Sequence, residues 1–196
     1  MWRAVLAIWA LSLSSAVGFA ATHTQVIQFA PGDSLQFRLR GGDVHIIKGS
    51  DPQHIVVRYT PDSKRQDDDQ KVQLRTRIAG SRVEVEIKAP PSLGVDTEIE
   101  VPSPVSLRVH LTGGDLTIEG VEGNKDLRVF AGDIKVDVGP SSSLRRAVAS
   151  TRIGDVDAPE GGEIHGWLGH TWKYEGKGQY SLYAHVSFGD VELNTK

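Results

Sequence analysis

Residues 111–120 read LTGGDLTIEG, a Gly-Gly-Asp turn between two runs in which apolar and polar residues alternate. Similar Gly-Asp sequences recur along the chain, and their aspartates are Asp43, Asp115, Asp133, Asp155 and Asp190. The residues four and six positions before each aspartate are mostly apolar, and apolar residues return one and three positions after it. Because a period of two is typical of half-buried strands, each unit is predicted to form strand, turn and strand.

The Gly-Asp pairs themselves are predicted to be structural turns. Glycine supplies the positive φ of a tight corner, and an aspartate carboxylate can accept a hydrogen bond from a backbone N–H two residues further on. A calcium column is the competing interpretation, but calcium-binding β-rolls carry a denser glycine-rich nonapeptide than these units do. We therefore interpret all five aspartates as turn residues and expect no metal site.

The spacing of the units predicts the architecture. Asp115, Asp133 and Asp155 lie 18 and 22 residues apart, near the ~20-residue period of solenoids, and 35 residues separate Asp155 from Asp190. Residues 104–196 are therefore predicted to form a β-solenoid or β-helix-like stack, in which LGHTWKYEG (168–176) is a degenerate unit. Residues 21–103 are predicted to be an N-terminal β-sheet or sandwich-like cap. An antiparallel β-sandwich is the alternative, since hairpin strands give similar patterns.

Composition restricts the compartment and the partners. Residues 1–20 combine Arg3, an apolar run and a small-residue end, which predicts a signal peptide cut after Ala20 and an exported protein, periplasmic or extracellular. The 196-residue chain has 22 Lys/Arg and 25 Asp/Glu, and loss of Arg3 leaves 21 against 25, a net charge of −4. This argues against nucleic acid as a partner. No other segment is long enough to cross a membrane.

The stretches VPSPVSLRVHLTGGDLTIEGVEGNKDLRVFAGDIKVDVG (101–139) and GKGQYSLYAHVSFGDVEL (176–193) resemble the bacterial putative-adhesin domain family, whose function is unknown. The resemblance covers about residues 25–196. It implies an exported, β-rich, solenoid-like protein and brings no catalytic residues to assign. One departure is His170-Thr171, which stands where Gly-Asp would be expected.

No residue pattern indicates catalysis, a metal site or a cofactor. The chain has no cysteine, its serines lie in no G-x-S-x-G sequence, and His110 and His185 occupy outward strand positions. A carbohydrate-active enzyme using Asp133 would need a pair of carboxylates beside the sugar, whereas alternating charges are ordinary on an exposed strand. We therefore predict a protein that is not an enzyme.

Aromatic residues give the clearest indication of a contact surface. Five aromatic residues fall within seventeen positions, in a chain with no other tryptophan after the signal peptide: Trp167, Trp172, Tyr174, Tyr180 and Tyr183. Of these, Trp167, Trp172 and Tyr174 are the candidate contact residues. Exposed rings could contact a glycan or a partner protein, whereas buried rings would cap the last unit of the stack.

The sequence thus predicts a non-catalytic, envelope-associated binding or scaffold module, adhesin-like, with an envelope protein or glycan as partner. A periplasmic ligand-sensing domain acting in envelope stress is the alternative, and a carbohydrate-active enzyme is a third. End-to-end self-association is expected if the last unit of the stack lacks a polar cap.

Overall fold

The computed structural model describes residues 21–62, 70–166 and 168–195, so the predicted signal peptide and Trp167 lie outside the described residues. The described residues form an all-β protein with a 3-10 turn at Ser141–Ser143, a second 3-10 segment at residues 70–71, and no α-helix. None of their segments is a helix that could cross a membrane. The strands are His23–Gln28 (β1), Ser34–Leu39 (β2), Val44–Lys48 (β3), His54–Pro61 (β4), Gln73–Ala79 (β5), Arg82–Lys88 (β6), Val95–Val101 (β7), Ser106–Gly113 (β8), Leu116–Glu119 (β9), Lys125–Ala131 (β10), Ile134–Asp137 (β11), Leu144–Ile153 (β12), Val156–Asp157 (β13), Glu163–His165 (β14), Thr171–Glu175 (β15), Tyr180–Phe188 (β16) and Val191–Asn194 (β17).

Two open, mixed sheets give a β-sandwich-like architecture. Sheet A has the order β1-β4-β7-β3-β9-β11-β17-β13, and sheet B has the order β14-β15-β12-β16-β10-β8-β2-β6-β5. Apolar side chains at alternate positions of both sheets belong to one buried cluster, which includes Phe37 and Leu127 of sheet B and Ile46 and Ile118 of sheet A. The single core explains why a chain without disulfides can be held by packing alone.

Each Gly-Asp unit forms what we call a rung, a strand of sheet B followed by the turn and a strand of sheet A. The rungs are β2–β3, β8–β9, β10–β11, β16–β17 and β12–β13 in spatial order, and neighbouring rungs pair in parallel. The last two rungs stand in the opposite order to their order in the sequence. The rung β16–β17 comes last in the chain but lies between β10–β11 and β12–β13. A sequential solenoid is therefore not confirmed.

Antiparallel strands flank the central parallel rungs. On one side, β7 and β6 pair in parallel with β3 and β2, and the antiparallel strands β4, β1 and β5 extend the sheets beyond them. On the other side, β15 and β14 extend sheet B. The alternative prediction of an antiparallel β-sandwich is therefore wrong for the centre of the molecule, where neighbouring rungs pair in parallel. LGHTWKYEG forms the antiparallel strand β15 rather than a degenerate rung. The sheets are continuous between the two predicted regions, since β2 pairs with β8.

The five aspartates form a ladder across the rungs at the turn end of the sandwich. Each backbone N–H donates to Oδ1 of the aspartate in the neighbouring strand: Asp43 to Asp96 (3.1 Å), Asp115 to Asp43 (3.2 Å), Asp133 to Asp115 (2.9 Å), Asp190 to Asp133 (2.8 Å) and Asp155 to Asp190 (2.7 Å). His170 Nδ1 lies 2.9 Å from Asp155 Oδ1 at the end of the series. The carboxylates thus bond across rungs and not, as predicted, to an N–H two residues along their own turn.

The glycine before each aspartate is required by close stacking. Gly132 has a φ of +128°, a backbone conformation that residues other than glycine rarely adopt. A Cβ at this position would also collide with the carbonyl oxygen of Gly114 in the adjacent rung. The repeated Gly-Asp pair is therefore a stacking unit in which glycine permits the approach and aspartate bonds across it.

Candidate functional site

The outer face of sheet B concentrates positive charge. Arg38, His110, Arg128, His185 and Ser150 share one register row across five neighbouring strands, and their side chains point away from the core because their neighbours in sequence point into it. Strand alternation therefore gathers Arg38, Arg128 and two histidines, which are far apart in the chain, onto one face of the sheet.

A groove of about 830 Å³ crosses this face near the beginnings of the sheet B strands. We call it the basic groove, because its lining includes five exposed cationic side chains and one carboxylate, that of Asp126; the cations are Arg82, Arg108, Arg145, Arg146 and Lys173. These cations lie on strands from β6 to β15, which are six strand spacings apart, or roughly 29 Å. The groove is thus long, shallow and strongly positive.

The Asp126 carboxylate accepts hydrogen bonds from two arginines but neutralises only part of their positive charge. Its Oδ2 accepts from Arg108 Nε at 3.0 Å, and its Oδ1 accepts from Arg128 Nε at 3.0 Å. One carboxylate cannot neutralise two guanidinium groups, and each keeps its terminal nitrogens as further donors. Among the described residues, Arg146 and Lys173 make no ion pair within 4.0 Å, so they too can bind an anion.

Tyr183 places an aromatic ring in the floor of the basic groove. It lies between Asp126 of β10 and Val148 of β12 in the register, and 38% of the residue is exposed. The Arg128 guanidinium carbon lies 5.4 Å from the centre of the ring, a cation–π distance. The groove therefore offers a flat apolar platform between cations.

Burial and the nearby arginines lower the pKa of two histidines on this face. Burial, and then the charges of Arg128, Arg108 and Arg38, hold the pKa of His110 below its ordinary value, against an opposing effect from Asp126. Burial, Arg152 and Arg128 similarly lower the pKa of His185. Both side chains are therefore predominantly neutral at pH 7 and gain charge only in acid.

His185 also makes the one pairing on this face that resembles catalytic machinery. Its Nδ1 lies 2.9 Å from Ser150 Oγ. A hydrolase would need a carboxylate behind the histidine to stabilise the imidazolium, whereas here the neighbouring charges are Arg152 and Arg128. The cations make His185 a weaker base, so the arrangement opposes activation of Ser150.

The outer face of sheet A differs because its charges are paired. Arg58 Nη1 donates to Glu98 at 2.9 Å and is also bonded to Glu100, and Lys135 Nζ lies 2.9 Å from Glu192. The Glu100 and Glu98 contacts raise the pKa of Arg58, and hydrogen bonds from Asn194 and Lys135 lower the pKa of Glu192. The unpaired cations that line the basic groove therefore lie on the sheet B face, although the net charge of the chain is negative.

Tyr183 belongs to the aromatic cluster that the sequence singled out, but the candidate contact residues Trp172 and Tyr174 do not line the basic groove. Trp172 is only 2% exposed, and Tyr174 is partly buried and stacked on it with ring centres 5.8 Å apart. Gly162, in the loop after β13, packs directly against the Trp172 indole. Trp172 therefore belongs to the core beneath the end of the sandwich and does not present its ring to a partner, while Trp167 lies outside the described residues.

The five turn aspartates lie in the ladder, at the end of the rungs where the sheet B strands finish. Within the described residues, no group of three or more His, Asp or Glu side chains is placed to hold a metal ion. Sequence reasoning missed the basic groove and placed only the row beside it, since Arg38, His110 and Arg128 all stand five residues before a Gly-Asp aspartate and do not line the groove. Only the register shows that they adjoin one another.

No family model and no curated protein matches this sequence. Among solved structures, the chain is similar to a putative cell adhesion protein from Clostridium sporogenes, with 12% identity, a TM-score of 0.59, and coverage of 90% of this chain and all of the other. It is also similar to a putative adhesin from Bacteroides fragilis, with 9% identity, a TM-score of 0.37, and coverage of 89% and 97%. The first of these similarities shows a shared fold, and at that level it agrees with the resemblance to the putative-adhesin family.

Proposed function

We propose that this protein is an exported, non-catalytic binding module of the cell envelope, and that its basic groove binds an acidic glycan. The proposal includes cleavage of residues 1–20 and a mature chain in which residues 21–103 supply the rung β2–β3 and a cap on one side of a rigid, solenoid-like stack. The observation that carries it is the groove itself, where five exposed cations face one carboxylate.

The shape and chemistry of the groove favour a carboxylated polysaccharide. Cations spread over roughly 29 Å match a ligand that carries repeated negative charges, because a single small anion would contact only one or two of them. Tyr183 provides a flat ring on which a sugar ring can pack, while Arg108 and Arg128 beside it can donate to a uronate carboxylate. In-register parallel strands hold these side chains on a rigid surface, which limits the entropy lost on binding.

A pair of matched double variants tests the proposal. Arg146→Ser/Lys173→Ser removes two groove cations, whereas Lys48→Ser/Lys135→Ser makes the same change in net charge through residues of sheet A. Binding of each purified mature variant to immobilised alginate, a polyuronate, is compared with binding to neutral dextran and to a DNA duplex. Circular dichroism confirms that each variant is folded.

We expect the groove variant to bind alginate about fivefold more weakly, since two exposed charge contacts contribute roughly 0.5 kcal/mol each. The sheet A variant should bind as the unmodified protein does, and raising the salt concentration from about 0.05 M to about 0.5 M should weaken binding further. Equal loss in both double variants, or equal binding to alginate and dextran, would refute the groove as the binding site. Tighter binding to DNA would show that the ligand is not a glycan.

A further inference from the structure

A lysine occupies a core position in the middle of sheet B. Lys125 lies in one register row with Leu35, Leu107, Leu182 and Ala147, all of which point into the interior. Each of these residues stands eight positions before its Gly-Asp aspartate, so the lysine replaces the apolar residue of its rung. Lys125 is only 9% exposed. Lysine is rarely buried to this extent without a specific role or partner.

Lys125 lines a cavity of about 290 Å³ at the end of the sandwich opposite the aspartate ladder. The walls combine the apolar side chains of Val121, Val138 and Leu144 with the polar side chains of Asp137, Ser143 and Gln179. Lys125 Nζ lies 3.4 Å from the carbonyl oxygen of Gly123, which also lines the cavity. The space corresponds to roughly ten water volumes, enough for a small organic molecule.

The surroundings of Lys125 favour its neutral amine. Burial lowers the pKa of Lys125 to about 8, and the negative charges of Asp137 and Glu122 only partly oppose this effect. About a tenth of the amine is therefore unprotonated at pH 7 and about a quarter at pH 7.5, whereas an exposed lysine with a pKa near 10.4 is almost entirely protonated. An unprotonated amine is a nucleophile, and desolvation in an apolar pocket is one way in which proteins activate lysine.

We propose that the Lys125 cavity is a capture site for small aldehydes and ketones, which bind reversibly as an imine with Nζ. The amine lone pair adds to the carbonyl carbon, and the resulting carbinolamine loses water to leave a C=N bond. The reaction needs no oxidant or reductant, and hydrolysis restores the amine and the carbonyl compound. Asp137, in the cavity wall, is placed to exchange the protons that addition and dehydration require.

A carbonyl compound fits this cavity better than a carboxylate does. Asp137 and Glu122 already place negative charge near the ammonium, so a further anion would be repelled in a partly desolvated space. A neutral carbonyl compound avoids that repulsion, and its alkyl chain can pack on Val121, Val138 and Leu144. Lys125 also lines the basic groove, so the two proposed sites adjoin and differ in the class of ligand that they bind. Reversible capture of a small molecule agrees with the ligand-sensing alternative that the sequence suggested.

Reductive trapping tests the proposal in the intact mature protein. The protein is incubated with butanal and cyanoborohydride near pH 7.5, and the rate of butylation of each lysine is followed by peptide mass spectrometry. Lys48 and Lys135 serve as exposed internal controls. Gln179→Trp narrows the exposed rim of the cavity without altering Lys125.

We expect Lys125 to react about tenfold faster than Lys48 and Lys135, since its larger neutral fraction outweighs its lower intrinsic nucleophilicity. Gln179→Trp should slow the reaction of Lys125 alone, and urea-unfolded protein should show similar rates at all lysines. A bulky aldehyde such as pyrenecarboxaldehyde should lose the preference for Lys125. The proposal is overturned if Lys125 reacts no faster than the exposed lysines, or if the preference persists in urea or with the bulky aldehyde.

Discussion

Replacement of Asp133 tests whether the aspartate ladder stabilises the stack of rungs. Asp133 lies in the middle of the ladder, where its Oδ1 accepts from the backbone N–H of Asp190 at 2.8 Å. Its own N–H donates to Asp115 Oδ1 at 2.9 Å, and this second bond does not depend on the Asp133 side chain. Asp133→Ala therefore removes one inter-rung hydrogen bond and leaves the Asp190 N–H without its protein acceptor.

The size of the effect follows from the type of bond and its exposure. A hydrogen bond to a charged acceptor contributes about 1.5–3 kcal/mol, but this carboxylate is exposed and water can replace it in part. Loss of one charge also relieves repulsion within the column of carboxylates. We expect Asp133→Ala to lower the free energy of unfolding by about 1–2 kcal/mol, which corresponds to a fall in Tm of roughly 2–8 °C for a domain of this size.

Asp133→Asn separates the hydrogen bond from the charge. Its side-chain oxygen can still accept from Asp190 N–H while the negative charge is lost, so its free energy of unfolding should lie within about 0.5 kcal/mol of the unmodified protein. Asp157→Ala is the matched control, because Asp157 is an exposed aspartate of β13 outside the ladder, and it should also change stability by less than about 0.5 kcal/mol.

Urea unfolding followed by the fluorescence of the buried Trp172 gives the three free energies. The reasoning is refuted if Asp133→Ala is as stable as Asp157→Ala, which would mean that water replaces the carboxylate without cost. It is also refuted if Asp133→Asn loses as much stability as Asp133→Ala, because the charge rather than the acceptor would then stabilise the stack.

Three further variants test other features of the molecule. Gly132→Ala places a Cβ against the carbonyl oxygen of Gly114 at a positive φ, so we expect a loss of about 3 kcal/mol or more in urea unfolding, and stability close to that of the unmodified protein would contradict the stacking argument. The lowered pKa of His110 means that the unfolded chain binds a proton first as the pH falls below about 6.5, so stability should decrease in acid, and His110→Gln should flatten that dependence between pH 7.5 and 5. Lys125→Met should stabilise the protein by roughly 3 kcal/mol at pH 7, because the pKa of Lys125 falls from 10.5 to about 8 on folding. Between pH 8 and 10.5 the unfolded form of the unmodified protein holds a proton on Lys125 that the folded form has lost, so the free energy of unfolding rises with pH. The stability difference between Lys125→Met and the unmodified protein should therefore shrink over this range. A constant difference from pH 7 to 10 would show that Lys125 does not titrate as described.

The strands and turns of the rungs could be predicted because the chemistry that specifies them is local. Alternation around each Gly-Asp pair indicates which side chains face the core, and Val109, Leu111, Leu116 and Ile118 are indeed buried on both sides of Asp115. The order of the rungs is not local. All five present equivalent parallel edges and the same Gly-Asp corner, so nothing within β16–β17 indicates that it pairs between β10–β11 and β12–β13.

The candidate site was harder to predict than the fold because it depends on register. Arg108, Arg146 and Lys173 belong to three different strands, and each taken alone is an ordinary exposed charge. Only parallel and antiparallel pairing of those strands makes a groove of them. The buried position of Lys125 could have been predicted from the sequence. The residues eight positions before the five aspartates are three leucines, one alanine and this lysine. The prediction extended only to the position six residues before, so this column was not compared.

The two ends of the sandwich are under different physical constraints, which explains where the chain varies. At the ladder end, each turn must fit between backbones that nearly touch, so neither its length nor its glycine can change. The variable spacing of 18, 22 and 35 residues between successive aspartates therefore arises at the opposite end, in the connections that follow β9, β11 and β13. The Lys125 cavity is lined by residues 120–123, 138–140, 143–144, 179–180 and 182, at or beside the ends of these connections, and the basic groove opens over the adjacent strand beginnings. A fold that fixes one end through backbone stacking leaves the other free to acquire binding chemistry, and we infer that ligand specificity changes there without cost to the stack.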